Sequence, residues 1–253
     1  MKKPFYEDDC SILYQEDAIK ILKNITPKSI DMIFADPPYF LSNGGVSCQS
    51  GKQVSVDKGD WDKGMSPDEK LKYNRKWIKA CKEVLKDNGT IWISGTLHNI
   101  YSIGVALELE GYSIINNITW QKPNPTPNLA CRCFTHSTET IIWARKVNGT
   151  KKGKHYFNYN LMKEINDGKQ MKDVWLLNLP KKSEKTEGKH PTQKPESVLE
   201  RIILASTKEG DLILDPFNGS GTTGVVAKKL NRKYIGIEIE QDFLNITKAR
   251  LRI

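Results

Sequence analysis

The sequence holds no apolar run approaching the roughly 18 residues that a membrane span needs. Its opening stretch, Met1 to Cys10, is polar and acidic and lacks the apolar core of a secretion signal. The five cysteines, Cys10, Cys48, Cys81, Cys131 and Cys133, are odd in number, which with no export signal argues for reduced thiols and a cytoplasmic location. No CxxC pair and no HxxxH pair occurs, and Cys131 and Cys133 stand too close for a zinc-binding arm. His98 and His136 do not complete such a set, so no metal is expected. Internal repeats and low-complexity tracts are also missing. These absences exclude a membrane protein, a disulfide scaffold, a zinc module and a solenoid.

What is present suits one sizeable domain with a small insert. Lysine and arginine number 39 against 30 acidic residues, a net charge of +9, so the surface suits either a polyanionic partner or plain solvation. Short apolar runs alternate with amphipathic stretches, the pattern of an α/β sheet. Strands are predicted at Ser29–Ala35, Thr90–Ser94, Ser113–Trp120, Glu139–Ala144, Leu212–Leu214 and Tyr234–Ile237. Helices are predicted over Asp17–Lys23, around Trp77–Leu85 with a turn at Asn88-Gly89, and over Thr222–Lys229. Residues 42–61 have no periodicity and read as a long mobile loop. Residues 146–189 are lysine-rich and punctuated by Asn-Gly, Lys-Gly and Asp-Gly pairs, and read as an insert between a catalytic part (1–145) and a ligand-binding part (190–253).

Three constellations carry chemistry. Asp36-Pro37-Pro38-Tyr39 leaves a strand at its C-terminal end, where open α/β sheets bind ligands. Two prolines hold a carboxylate, a carbonyl and an aromatic ring rigidly together. Asp36 and the Pro37 carbonyl suit the two hydrogens of an amino group on a planar base, and the Tyr39 ring suits stacking on that base. The second is Asp215-Pro216-Phe217-Asn218-Gly219-Ser220-Gly221-Thr222-Thr223-Gly224, a strand-to-helix turn satisfying GxGxxG, with Glu238 ending the next strand. Asp215 stands where a pyrophosphate would sit uneasily. The ligand it suits has an amino group and a ribose but no phosphate, with Asp215 at the amino end and Glu238 at the ribose. S-adenosylmethionine is such a ligand. The third is His190-Pro191-Thr192-Gln193-Lys194-Pro195, either a plain helix start or a lip over the ligand's amino acid end.

Asp-Pro-Pro-Tyr at 36–39 followed by Asp-Pro-Phe-x-Gly-Ser-Gly at 215–221 resembles the DNA amino-methyltransferases. Because the catalytic motif comes first and the 190–195 stretch just precedes the cofactor motif, the chain is similar to their circularly permuted β class. Asp17 and Ala18, after Tyr14-Gln15-Glu16, resemble the family's contact to the cofactor's adenine ring, and Trp120 to Asn124 resembles a further family motif. The resemblance implies a Rossmann-like, seven-stranded mixed sheet of the permuted S-adenosylmethionine-dependent methyltransferase fold. It implies Asp36, Pro37, Pro38 and Tyr39 as the catalytic set. It implies Asp17, Ala18, Asp36, His190, Thr192, Lys194, Asp215, Phe217, Gly219, Ser220, Gly221, Thr222 and Glu238 around the cofactor. Residues 146–189 become the target-recognition region. Aspartate at 36 points to adenine, since cytosine amino-methylases usually carry serine there. Carbon-5 methylation is excluded, because no cysteine follows a proline.

Several stretches, Phe40–Gly45, Asp57–Lys63, Asn128–Thr140 and Asp167–Trp175, resemble the second adenine methylases of DpnII-type restriction–modification systems. That resemblance implies methylation of adenine in GATC, in double-stranded DNA with single-stranded DNA as a further substrate, as protection against a cognate nuclease. The competing reading is that these stretches are scaffold shared by relatives with other targets. Arg132, Lys151, Lys152, Lys154, Lys181 and Lys182 are the candidate DNA contacts. One subunit reading a short palindrome serves one strand per encounter, whereas a homodimer could serve both. The rival functions are a cytosine amino-methylase, an RNA methyltransferase, and, from another class, a non-catalytic DNA-binding module.

Overall fold

The computed structural model describes residues 2–40, 64–128, 130–147, 154–188 and 190–252, together with the backbone of 46–49 and 52–55. The first stretch carries β1 (Tyr6–Glu7), β2 (Ser11–Gln15), α1 (Ala18–Leu22) and β3 (Ile30–Ala35). A small antiparallel pair, β4 (Val46–Gln49) and β5 (Lys52–Ser55), occupies part of the segment read as an aperiodic loop. Then come α2 (Pro67–Val84), β6 (Leu85–Gly95), α3 (Ile100–Leu109), β7 (Tyr112–Gln121) and β8 (Thr138–Lys146). Within 146–189 lie α4 (Tyr159–Ile165), β9 (Val174–Leu176) and a 3-10 turn at Lys182–Lys185. The chain closes with α5 (Glu196–Ser206), β10 (Leu212–Asp215), α6 (Thr222–Lys229), β11 (Lys233–Glu238) and α7 (Gln241–Leu251).

The main sheet runs β1-β2-β11-β10-β3-β6-β8-β7-β9. Its interior is the expected seven-stranded mixed sheet, in which β8 alone runs against both its neighbours. The strand count departs from expectation at the edges, where β1 adds two residues antiparallel to β2 and β9 adds three parallel to β7. Neither is long enough to show alternation, so sequence periodicity could not reveal them.

The alternation inside β3 explains the layering. Ile33 and Ala35 pack with Ile21 and Leu22 of α1, Trp77, Ile78 and Cys81 of α2, and Ile103 and Leu107 of α3. Met32 and Phe34 pack on the other face with Val198 and Ile202 of α5, Val226 of α6 and Leu244 of α7. A strand buried on both faces reads as a continuous apolar run rather than as an alternating one. Its one charged residue, Asp31, pairs with Lys86 at 2.6 Å and accepts the Leu212 amide at 3.0 Å.

The turn expected at Asn88-Gly89 does not end α2. The helix stops at Val84, and these residues belong to β6, whose register against β3 shifts between Ile30 and Met32. They fall in the irregular part of β6, between the pairs Leu85–Ile30 and Thr90–Met32. At its other end α2 opens with Ser66 and Glu69 bonding each other's backbone, and Pro67 in the first turn.

Strand order reverses between β10 and β3. β10 leads outward through β11 and β2, while β3 leads the other way through β6, all in parallel. The crevice beyond the carboxyl ends of two such strands is the usual ligand position in an open α/β sheet. Asp36 follows β3 and Asp215 ends β10, so the fold brings together motifs far apart in the chain.

Candidate active site

A cavity of about 360 Å³ opens at this switch point. Its walls take in Asp36 to Tyr39, Asp17 and Ala18 at the start of α1, and His190, Thr192 and Lys194 ahead of α5. They continue through Asp215, Phe217, Gly219, Ser220 and Thr222 of the glycine turn to Glu238 at the end of β11. The apolar wall includes Trp77, Phe217, Ile239 and Phe243, with Trp77 and Phe217 meeting edge to face at 5.3 Å.

Gly221 is the one expected cofactor residue that does not reach the cavity. It lies at φ +75°, and a Cβ built there would fall 2.3 Å from Cγ2 of Thr247, so its glycine serves close packing against α7. Gly219, at φ +51°, does line the cavity, with the His190 ring 3.2 Å from the position of a Cβ. His190 in turn rests on Phe243 with ring centres 4.3 Å apart, and its Nδ1 accepts the Thr192 amide at 3.3 Å. The turn is braced from behind by Arg250, which donates to the Ser220 carbonyl at 2.7 Å and to the Thr222 hydroxyl at 3.1 Å.

The acidic groups differ in how much bonding capacity they keep. Asp215 is buried, with one oxygen accepting the Phe217 amide at 3.0 Å and the other the Thr223 hydroxyl at 2.6 Å. Burial pushes its carboxyl up to about 7, against the lowering effect of those bonds. Glu238 accepts the Gly219 amide on Oε2 at 2.7 Å, and the Ile239 and Glu240 amides on Oε1 at 2.8 and 3.1 Å. A carboxylate has about four lone-pair positions. Glu238 therefore has room for one more donor. Asp17 caps α1 by accepting the Lys20 amide at 3.1 Å.

Across the cavity, Asp36 stands in a dense charged cluster. Its Oδ1 accepts the Tyr39 hydroxyl at 2.6 Å and its Oδ2 the Lys194 ammonium at 2.5 Å. Lys194 also donates to the Tyr39 oxygen at 2.7 Å and lies 3.4 Å from Oε2 of Glu139. Glu139 is bound through Oε1 to Lys122 at 2.6 Å. Burial raises the Asp36 carboxyl; the Lys194 charge opposes that shift and the Glu139 charge adds to it. Burial works against the Lys194 charge too, but Asp36 and Glu139 outweigh it and hold its ammonium well above the usual lysine range. For Glu139 the two lysines outweigh burial and keep the carboxyl low.

Lys194, expected at the cofactor, lines the cavity and is also bonded to Asp36. Tyr39 was expected to act through its ring, yet its hydroxyl is a hydrogen-bond donor to Asp36. Glu139 and Asn99 were missed. Asn99 donates to the Pro38 carbonyl at 3.0 Å and accepts from buried Asn74 at 2.7 Å, which fixes the Pro-Pro turn. The one sequence signal for Glu139 was a carboxylate opening an otherwise apolar strand.

Of the expected DNA contacts, Arg132, Lys181 and Lys182 are exposed. Arg132 lies on the loop joining β7 to β8, at the cavity end of the sheet. Lys181 precedes and Lys182 opens the 3-10 turn, whose Glu184 carbonyl accepts from Gln193 at 2.7 Å, so they too lie near the cavity. Lys154 is elsewhere: its neighbour His155 packs on Trp143 in mid-sheet, and Asn158 bonds Ala205 at the far end of α5. Lys151 and Lys152 fall outside the described residues, as do 41–45, 57–63 and 129 of the stretches likened to the DpnII-type methylases.

A mixed sheet with a cavity at its parallel switch point, a rigid Asp-Pro-Pro-Tyr on one wall and a glycine turn on the other is the frame of an amino-group methyltransferase. Residues 30–249 match the DNA methylase family, and the chain belongs to it. It is 67% identical over 99% of its length to the type II methyltransferase M2.DpnII of Streptococcus pneumoniae, covering 93% of that protein. It is 68% identical, with the same coverage, to the type II methyltransferase M2.LlaDCHI of Lactococcus lactis subsp. cremoris. Among solved structures, the M1.HpyAVI–SAM complex superposes with a TM-score of 0.71 at 31% identity, covering 96% of this chain and 100% of that one. The protein is a DNA methyltransferase of the restriction–modification type. No helix among the described residues is long and apolar enough to cross a membrane.

Proposed function

We propose that this enzyme methylates the 6-amino group of an adenine in GATC, using S-adenosylmethionine, and so protects DNA from a cognate nuclease. The observation that carries the reading is Asp36: a largely buried carboxylate, fixed by two prolines, on the wall of a cavity whose opposite wall is the glycine turn. The cavity fits the cofactor chemically. Trp77, Phe217 and Phe243 offer apolar surface to a base and thioether, Glu238 has one position for a ribose hydroxyl, and Asp215 can take up the charge that an ammonium group stabilises. S-adenosylmethionine supplies an electrophilic methyl group.

The chain's own residues do the rest. An adenine must leave the duplex to reach Asp36, at a cost of about a few kcal/mol in stacking and pairing. The lone pair of its amino nitrogen is delocalised into the ring. A hydrogen bond from that group to Asp36 localises the pair, and the rigid Pro37-Pro38 backbone aims it into the cavity. The Asp36 carboxylate can also receive the proton that the amino group sheds. Residues 146–189 and 42–61 are the segments we assign to target recognition, and we assign phosphate contacts near the cavity to Arg132, Lys181 and Lys182. A homodimer would serve both strands of the palindrome, and single-stranded DNA is a further substrate on this reading.

The test is to express the protein in cells that lack adenine methylation and to sequence their DNA with detection of modified bases. Modified adenine confined to GATC is expected. Modification at another sequence would refute the target, and modified cytosine the base.

A further inference from the structure

The carboxylate that a flipped adenine needs is already bonded. Both oxygens of Asp36 are engaged, Oδ1 by Tyr39 and Oδ2 by the Lys194 ammonium at 2.5 Å. Each oxygen keeps one further lone-pair position, so the base's amino group competes with the Lys194 ammonium for Oδ2, and its bond is strongest where Lys194 gives way. An ammonium released in a buried pocket needs another acceptor, because an uncompensated buried charge is strongly unfavourable. One is in place. Glu139 Oε2 is buried, accepts no hydrogen bond among the described residues, and faces Lys194 Nζ at 3.4 Å. Its other oxygen is held by Lys122, itself largely buried, so the carboxylate is oriented and does not turn away.

Resting on the reading of Asp36 given above, we propose that Glu139 is a positioning residue, the carboxylate to which the Lys194 ammonium moves when the target amino group binds Asp36. The motion is under an ångström, from a 3.4 Å contact to a hydrogen bond of about 2.8 Å. Lys194 exchanges one carboxylate for another, and the cluster's charge is unchanged while the base enters. Tyr39 from the β3 exit, Lys194 ahead of α5, Glu139 at the start of β8, Lys122 after β7 and Asp215 at the end of β10 are the titratable groups that act on this cluster.

The exchange predicts a dependence on the amino group itself. The affinity of the protein, held with S-adenosylhomocysteine, is measured for duplexes carrying adenine or purine at the target position; purine lacks the amino group. In Glu139→Gln the ammonium stays on Asp36, and the adenine-to-purine affinity ratio should fall roughly tenfold from wild type, the equivalent of one charge-assisted hydrogen bond. Glu139→Asp, which keeps the charge, should lie between. In a Lys194→Met background, Glu139→Gln should no longer alter the ratio, since no ammonium remains to be moved. A merely structural Glu139 would weaken both duplexes alike. An unchanged ratio in Glu139→Gln, with Asp36→Asn changing it, overturns the exchange alone. A ratio that even Asp36→Asn leaves untouched overturns the reading of Asp36 together with the exchange.

Discussion

Two side chains in the cavity carry predictions of their own. Tyr39 donates its hydroxyl to Asp36 at 2.6 Å and accepts from Lys194 at 2.7 Å, so Tyr39→Phe keeps the ring but removes a bond to the charged carboxylate. A hydrogen bond to a charged group contributes about 1.5–3 kcal/mol. Single-turnover methyl transfer should therefore slow by roughly tenfold or more, while S-adenosylhomocysteine binds as before. A variant as fast as wild type would return Tyr39 to a stacking role alone. Asp215 carries a pH signature. Its carboxyl is pushed up to about 7 in the folded protein from an ordinary value of 3.8, because burial disfavours its charge. An acid whose folded pKa is raised binds more protons folded than unfolded. Its ionisation therefore lowers stability progressively as pH rises from about 4 to 7. A ligand ammonium nearby favours the ionised form and lowers the pKa again, which releases a proton. Cofactor affinity should thus rise with pH up to about 7 and level off above. Calorimetry at pH 6 in buffers of different ionisation heat should detect the released proton in wild type and not in Asp215→Asn; equal proton counts would remove Asp215 from the amino end.

At the scale of the element, the glycine turn between β10 and α6 separates two uses of one residue type. Gly219 faces the cavity, while Gly221 faces Thr247, whose hydroxyl ties Asn218 and the Gly219 carbonyl to α7. Gly221→Ala combines left-handed backbone with a Cβ 2.3 Å from a buried side chain. It should cost about 2–3 kcal/mol of stability. Gly168 has the same φ of +75° but nothing within 4 Å of its Cβ position, so Gly168→Ala isolates the backbone part, about 1 kcal/mol. Equal shifts in Tm for the two would show that packing against Thr247 does not matter. The sequence could not distinguish these glycines, because GxGxxG specifies a turn and not which side each residue presents. The same limit applies elsewhere. Asp36, Tyr39 and the glycine turn were legible because each is a contiguous motif at a strand end. The helix over Thr222–Lys229 was legible to the residue, since a glycine turn opens it and apolar spacing continues it. The partnership of Lys194 with Asp36 and Glu139 was not, because it exists only when β3, β8 and the lead into α5 meet. Nor was the edge strand β9, three residues long, nor the inclusion of Asn88-Gly89 in the irregular start of β6, between the residues that pair with Ile30 and Met32 of β3.

For the whole molecule, the question is which part of a net charge of +9 meets the DNA. Charge alone cannot say, but the sheet has direction. The cavity lies at the carboxyl ends of its parallel strands, so phosphates flanking a flipped base must pass over that end. Lys181 and Lys182 are there, tied through Glu184 to Gln193 and to the Glu196 amide at the start of α5. Lys154 belongs with the opposite end of α5, beside the Asn158–Ala205 bond. Lys28 and Lys233, at the entrances to β3 and β11, lie on that opposite side as well. Removing one lysine that neutralises a phosphate should reduce the slope of log affinity against log salt by about 0.9 on duplex DNA. Lys181→Glu with Lys182→Glu should therefore flatten the slope by nearly 2 if both lysines bind phosphates. Lys154→Glu should leave it unchanged, and so should Lys28→Glu with Lys233→Glu, which alters net charge as much as the first pair does. Fluorescence anisotropy on one GATC duplex across a salt series measures all three. Equal flattening by the two double variants would mean that overall charge, not position, draws the DNA in. Flattening by Lys154→Glu instead would place the duplex around the far end of α5 and require it to bend to bring its adenine back to Asp36.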